Sequence, residues 1–396
     1  MSVNTMTFEN AATLLTSLYN QATGQTAITP TSEADFVTMA QTTLRTGYDV
    51  MGTAISQVLS RTIFSARPYD AKFAGLQVDS IKFGGHVRKI NYLDLDIEAD
   101  QRYTLVDGQA VDHYRVNKPK AIQTNFYGSN THQIHYTVYK DQIDQAFESS
   151  SQFGSFMAGL ITHVSNQIEQ INEQERRLVL QNLIGARIDE DDNVVHLLTE
   201  YKSDTGNTTI TSANWQSEAE FPYFVKWLYG YINTLIRFMG NRSAKYHTNI
   251  ATYNGANAKP IMRHTPRQNM KGYMLTSLMQ HIDASVMSSV FHNDVLKTID
   301  FEAVDFWQSI DDPDALQVTP VVMSATDGTY ATGDAVTATN VVGVLFDEEA
   351  AGTTIISNWS ATTPFNAAGG YWNNYYHWNV RTWNDLTENA VVLMLD

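Results

Sequence analysis

Between Phe153 and Ile184 the chain carries an apolar stripe too long for an ordinary domain helix. Met157, Ile161, Val164, Ile168, Ile171 and Leu178 recur at alternating steps of four and three, with one gap at Glu175. That is the period of an amphipathic helix. Ser149, Ser150 and Ser151 offer N-cap oxygens ahead of it, and Gly185 stands where a left-handed C-cap residue would close it. Asn166, Gln170, Glu173, Arg176 and Arg177 fall on the other faces. At ~1.5 Å per residue such a helix is about 48 Å long. A rod of this length with a single greasy stripe must lie across an elongated sheet or subunit. It frames a shell-like piece and does not wall a compact pocket.

Ahead of the rod, the pattern predicts a helix over residues 8–20 and another opening at Ser32, where Ser32 and Asp35 resemble a capping box. Phe36, Met39, Ala40, Thr43 and Leu44 share a face, and Val50, Ile55, Val58 and Leu59 resume it after Gly47. These helices form an arm that needs a partner surface. From Phe64 to about Tyr139 the period changes to two. Leu76–Phe83 and His86–Leu93 flank Gly84-Gly85, a hairpin signal, and Asp107-Gly108 marks a second turn. Ile134, Tyr136 and Val138 supply a returning strand. So much extended chain fits a projecting β-arm better than a compact domain.

Beyond the rod, 188–195 reads as a weak strand or loop and 202–212 as an exposed loop. Phe221–Met239 reads as a helix with Phe224, Trp227, Leu228, Tyr231, Leu235 and Phe238 on one face. Further helices are expected over Met270–His281 and Ala284–Val290. Val341–Phe346 and Ala390–Leu395 are continuously apolar and predict strands buried on both faces, while Tyr376, Trp378 and Val380 alternate with His377, Asn379 and Arg381.

The chain has 396 residues, enough for two or three lobes, and no cysteine, hence no disulfide framework and no thiolate zinc site. No basic residue precedes Arg45 and no apolar run approaches the length of a membrane span, so the expectation is a soluble protein kept in a cytosol. Net charge is −16, unevenly spread: residues 61–120 hold ten basic against eight acidic side chains, while 300–396 hold only Arg381 against fourteen acids. Segment 61–120 could rest on an acidic surface of a neighbouring copy, or these could be unrelated solvated faces. Such an acidic chain is poorly suited to gripping nucleic acid through phosphates.

No phosphate-binding loop, dinucleotide fingerprint, nucleophile elbow or zinc-protease helix motif is present. His132 and His135 lie three apart in strand-like sequence, so they point to opposite faces and make a poor chelate. Glu169 and Glu173 lack the nearby histidine of a di-metal bundle and read as a solvated face. Asp94, Asp96, Glu98 and Asp100 line one strand face. Neighbours two apart on a strand are ~6–7 Å from one another, too far for the four to enclose one ion. They read as a hydrated face, or as one paired with basic residues of an adjacent copy such as Arg88, Lys89 or Arg115. Tyr371, Trp372, Tyr375, Tyr376, Trp378 and Trp383 read as sheet core plus interface aromatics, against a sugar-stacking platform. No nucleophile, acid and base come together, and no cofactor or metal is called for.

In chain order there follow a helical arm, a long β-arm, a spine helix, a helical lobe and returning strands. Over nearly the whole chain that order resembles the major capsid protein of tailed bacteriophages, the Hong Kong 97-type shell fold. The ending carries most of the resemblance: "VVGVLFDEEAAGTTI", an aromatic strand, then "DLTENAVV" and a final strand. The resemblance implies an α+β fold: an N-terminal helical arm (1–63), an extended β-hairpin loop (64–125), and a peripheral domain (126–220) holding the spine helix 153–184. A mostly axial domain (221–340) and C-terminal strands (341–396) returning to those sheets complete it. It implies a non-enzymatic subunit that self-assembles into hexamers and pentamers of an icosahedral or prolate head enclosing double-stranded DNA, assembled in the host bacterial cytoplasm. With about sixty residues before the β-arm, the scaffolding protein is expected to be a separate chain, with portal and decoration proteins as further partners. Arg88, Lys89, Asp94, Asp96, Glu98 and Arg115 are the expected contacts between copies. Two rivals are an encapsulin-type compartment shell, which shares the fold, and a carbohydrate-binding or carbohydrate-active protein using the C-terminal aromatics.

Overall fold

A computed structural model describes residues 8–24, 26–27, 29–45, 72–78, 87–94, 100–103, 105–110, 112, 114, 116, 118, 121–147, 149–191, 193–250, 260–281 and 301–396. The main helices are α1 (Phe8–Thr23), α2 (Glu33–Arg45), α3 (Lys140–Ala146), α4 (Ser150–Asp189), α5 (Leu197–Thr205) and α6 (Phe221–Met239). Four strands precede α5: β1 (Val87–Tyr92), β2 (Ala121–Phe126), β3 (Ser129–Tyr139) and β4 (Val194–His196). Then come β5 (Met270–Leu275), β6 (Glu302–Val304), β7 (Leu316–Val318), β8 (Val321–Met323), β9 (Tyr330–Thr332) and β10 (Val336–Ala338). The closing strands are β11 (Val341–Asp347), β12 (Ala351–Thr362), β13 (Tyr371–Asn384) and β14 (Ala390–Met394).

The rod is α4, and its 40 residues make it about 60 Å long. Ser149 Oγ accepts the Gln152 N–H at 3.2 Å, the expected N-cap. Gly185 is not the C-cap: the helix runs through it, and the chain leaves at Glu190 before Asp191 and Asn193 turn it with φ of 49° and 63°. The glycine answers to packing, because a Cβ at 185 would lie 2.4 Å from Val318 Cγ1 and 3.4 Å from Pro320 Cβ.

The single stripe holds only for the first half of α4. From Asn172 onward nearly every face is covered, and Asn172, Glu173, Glu175, Arg176, Gln181 and Arg187 are buried, while Leu178 is half exposed. Buried polar groups survive only when bonded. Arg177 meets Glu173 Oε1 at 2.8 Å and the Phe306 carbonyl at 2.6 Å, with its guanidinium 4.0 Å from the Phe306 ring centroid. Gln181 donates to the Trp307 carbonyl at 2.5 Å, and Arg187 to the Leu386 and Glu388 carbonyls at 3.0 and 3.1 Å. Glu173 and Arg176, expected on outer faces, are interior groups for this reason.

Two sheets flank the rod. The larger has the order β4-β14-β11-β5-β6, with β11 antiparallel to both neighbours and parallel pairs at each margin. Every residue of β11 and β14 is buried, as their unbroken apolar runs predict. The expected helix over 270–281 is instead strand β5 followed by helix only from residue 276. Its glycine explains the outcome: a Cβ at Gly272 would lie 2.4 Å from Phe301 Cε1, so that ring fits only against bare strand backbone. Tyr273 stacks on Phe346 across the sheet at 5.9 Å. Helix α6 covers this core with Phe224, Leu228, Leu235 and Met239, whereas Phe238, expected on that face, is exposed. The expected loop 202–212 starts only after α5, at Gly206, whose φ of 73° closes the helix. Of the stretch 188–195, expected to be weak strand or loop, Ile188 and Asp189 instead end α4, while Val194 and Val195 do belong to strand β4.

The smaller sheet, β12-β13-β3, packs on the first half of α4. Trp372, Tyr376, Trp378 and Val380 of β13 turn inward in strict alternation. Strand β3 thus pairs with β13 and, among the described residues, with no strand of the arm. The pair α1–α2 also finds its surface within this chain: Phe36 packs edge-on against Phe153 at 5.7 Å, Leu15 and Leu18 are fully buried, and Glu33 Oε1 accepts the Ser150 N–H at 2.7 Å. The Ser32–Asp35 cap forms as expected, with the Asp35 N–H 3.2 Å from Ser32 Oγ. The helix expected over 284–290, the turn at Gly84-Gly85 and the apolar positions 50–59 lie outside the described residues.

Candidate functional site

The arm has a root and an uncovered outer part, and strand alternation accounts for the root. Strand β1 pairs antiparallel with β2, Lys89 opposite Thr124 and Asn91 opposite Ile122. Among the described residues the partner of β1 is β2, while most of the expected partner Leu76–Phe83, from residue 79 on, lies outside them. Leu76 is buried in a 3₁₀ turn, and the Val78 N–H donates to the Thr353 carbonyl at 2.9 Å. One face of the pair turns to the body: Ile122 joins the main core and the Phe126 ring meets Tyr330 at 6.3 Å. Arg88, Ile90 and Tyr92 face away and are exposed.

At the root, Lys89 Nζ sits 2.7 Å from Glu388 Oε1, 2.9 Å from Glu349 Oε2 and 3.0 Å from Asp385 Oδ2. Asp385 is fully buried, Glu388 nearly so, and Glu349 opens to solvent. Rigid turns aim these carboxylates. Asp385 Oδ1 accepts from the Thr387 N–H at 2.9 Å and from Thr387 Oγ1 at 2.6 Å. Arg263 Nε donates to the Thr387 carbonyl at 3.0 Å and lies 3.2 Å from Glu388. Burial works to lower the Lys89 pKa, but Asp385, Glu388 and Glu349 outweigh it and hold the ammonium above its usual value. Burial raises the Glu388 carboxyl, and Lys89 and Arg263 only partly draw it back.

Lys89, expected to reach an adjacent copy, is thus satisfied inside its own chain. Asp94 pairs with Arg242 of the same chain, Arg88 is exposed, and Asp96, Glu98 and Arg115 lie outside the described residues. Nothing in the local pattern marks Glu349, Asp385 and Glu388 as partners of Lys89. The available signal is five acids in two short stretches, three at 347–349 and two at 385–388, without a basic residue in either.

Past the root the arm is greasy and bare. Among the described residues, eight of the seventeen exposed large apolar side chains fall between Ile90 and Tyr127. Tyr92, Tyr103 and Tyr114 are 74%, 85% and 90% exposed, with Val106 and Val116 beside them in sequence. Isolated exposed apolar residues need no explanation, but a concentration on one projecting element marks a surface that something else covers. The turn expected at Asp107-Gly108 is there, with φ of 88° at the glycine. Between arm base and spine lies an open cleft of about 350 Å³ lined by Phe126, Tyr127, Leu178, Val321, Tyr330 and Trp383.

The remaining chemical candidates resolve as structure. His132 and His135 point to opposite faces of β3, as their spacing requires. His132 Nε2 lies 3.0 Å from Glu175 Oε1, filling the gap in the apolar stripe, and its ring stacks near Trp378 at 5.2 Å. His135 lies against Tyr375 on the other side. Trp372 and Trp378 are buried, which removes the sugar-stacking platform. Among the described residues no group of three or more His, Asp and Glu could hold a metal ion, and no helix is long and apolar enough to cross a membrane.

Residues 15–394 match the family model described as Phi29-like phage major capsid protein. No curated protein matches the sequence. Among solved structures the chain is similar to the capsid structure of Staphylococcus phage Andhra, with a TM-score of 0.52 and 13% identity over 82% of this chain and 84% of that one. A chain from the native bacteriophage P68 aligns with a TM-score of 0.49 and 10% identity over 83% and 85%. The mature capsid of bacteriophage PhiM1 gives 0.42 and 11% over 83% and 87%.

Proposed function

The chain belongs to the Phi29-like phage major capsid protein family, and from that premise we propose that its bare arm is the contact through which one subunit grips the next in the phage head. Membership sets aside both the compartment-shell and the carbohydrate readings. The proposal rests on one observation: the apolar surface missing from a single chain's interior is concentrated on the arm, whose root is held firmly to the body.

The layout supporting this is Hong Kong 97-like. The arm lies within 64–125, a peripheral domain in 126–220 is built on the spine helix, and an axial domain occupies most of 221–340, with 341–396 returning to both. Subunits close into hexamers and pentamers around double-stranded DNA. A separate scaffolding protein, a portal and decoration proteins complete the head in the host cytoplasm. Arg88, on the outer face of β1, together with Asp96, Glu98 and Arg115, supplies charge that sets the register between copies. The role is mechanical and involves no reaction.

Replacing Tyr103, Val106, Tyr114 and Val116 together by Ser tests it. Each is exposed in the subunit, so each change should alter subunit stability by no more than about 0.5 kcal/mol. Particle formation, followed by electron microscopy and sedimentation with any scaffold supplied, should fail. Particles of normal yield and stability from this variant would overturn the proposal.

A further inference from the structure

We infer that Lys89 is the residue that orients the arm: its ammonium, clamped among Glu349, Asp385 and Glu388, fixes the direction in which β1 and β2 leave the body. The inference deepens the proposed function and rests on the arm being the contact surface.

Three carboxylates from two separate turns converge on one nitrogen within 3.0 Å, and the lysine side chain is only 15% exposed. Apolar contacts at the root, from Ile122 and Phe126, hold the hairpin against the body. Such contacts are non-directional and tolerate rotation and sliding. An ammonium held by three carboxylates at different bearings does not, because any swing of β1 lengthens at least one pair in a poorly hydrated place. Both clamping turns are braced independently of the arm. The Asp385 N–H donates to the Ala350 carbonyl at 2.7 Å, tying the two turns together, and Arg187 holds the carbonyls of Leu386 and Glu388. The clamp is thus a fixed part of the body and Lys89 the moving part seated in it. The seat is also specific in sign: without the lysine, the side-chain partners left among the described residues are Thr387 for Asp385 and Arg263 for Glu388. Leaving buried charge unpaired is costly, whereas neutralising a whole network is often tolerated.

The chain has no cysteine, so two can be introduced cleanly for spin labels. Tyr103→Cys on the arm and Tyr223→Cys on α6 are both exposed positions. Electron–electron resonance on unassembled subunits then reads the distance distribution between arm and body. With Lys89 it should be narrow, with Lys89→Arg it should stay narrow, and with Lys89→Met its width should grow at least twofold. Should Lys89→Met fail to fold, the neutral network Lys89→Met/Asp385→Asn/Glu388→Gln decides, since it buries no orphaned carboxylate in that clamp and keeps the apolar contacts. That variant should fold and give the broad distribution. A narrow distribution in either lysine-free variant overturns the inference. The readout needs no assembly, so it stands or falls separately from the arm's role between copies.

Discussion

Gly185 in the spine helix offers a substitution whose sign depends on a single neighbour. Its backbone is ordinary helix, so Gly185→Ala should gain the intrinsic helix preference of alanine, about 1 kcal/mol. Against that, the new Cβ would lie 2.4 Å from Val318 Cγ1, far inside contact distance. Val318 belongs to β7, paired residue by residue with β10, and its branched side chain has few ways to turn aside. Overpacking of this kind costs about 1–3 kcal/mol. The net effect is a loss of up to about 2 kcal/mol. In a Val318→Ala background the offending methyl is gone and the next atoms, Pro320 Cβ and Cγ at 3.4 and 3.6 Å, make ordinary contact. There Gly185→Ala should stabilise, by about 1 kcal/mol. The four proteins form a double-mutant cycle, with urea unfolding of dilute, unassembled subunits as the assay and an expected coupling of about 1–3 kcal/mol. Had Gly185 been a left-handed C-cap, alanine would cost about 1 kcal/mol in both backgrounds. Equal losses in the two backgrounds would therefore refute the packing argument.

Two further outcomes follow from the small sheet and the N-terminal helices. Trp372→Ala should destabilise the subunit by about 3–5 kcal/mol because the ring is fully buried. Trp359→Ala should cost about 1 kcal/mol, since that ring is more than half exposed and loses chiefly its stack on His377; matched chemical denaturation curves check the contrast. The Ser150 hydroxyl and, after it, the Ser150 N–H hold the Glu33 carboxyl below its usual value of 4.5. A depressed carboxyl stabilises above its unfolded pKa, and that contribution is lost as pH falls through the folded value. The melting midpoint of wild type should accordingly exceed that of Glu33→Gln at neutral pH, and the gap should close on acidification below the ordinary glutamate range. A gap that persists in acid would show that the bond to Ser150 does not depend on the charge.

What could be read from the residues alone was whatever a local period encodes. The rod, α6, β11 and β14 follow from apolar spacing, and the helix start from the serine run. The end of the rod was misplaced because glycine has two uses, left-handed backbone and close approach, and only the presence of Val318 tells them apart. The strand at 270–275 was misread for a related reason: a short buried apolar run has no period of its own, and Gly272 acquires meaning only once Phe301 is against it. Polar residues were hardest. Glu173, Arg176 and Arg177 look like a wet helix face, and Glu175 like a gap in the apolar stripe, until partners arrive from 72–77, 130–132 and 306. Lys89 was expected to meet an adjacent copy, whereas its partners lie some 260–300 residues along its own chain, beyond any window a pattern can use.

The strand order of the large sheet also governs timing. Val194 pairs with Val392, about 200 residues away, and every other neighbour in that sheet is non-local as well, so its closure is a slow, late step. Asp385 and Glu388 sit in the turn that joins β13 to β14, immediately ahead of the last strand. On the role inferred for Lys89, a polypeptide whose last strand has not docked lacks the clamp that aims its arm. If the arm is the contact between copies, as proposed, a subunit with that strand undocked would present the arm in the wrong direction, and the lattice would gain a checkpoint that needs no separate inspector.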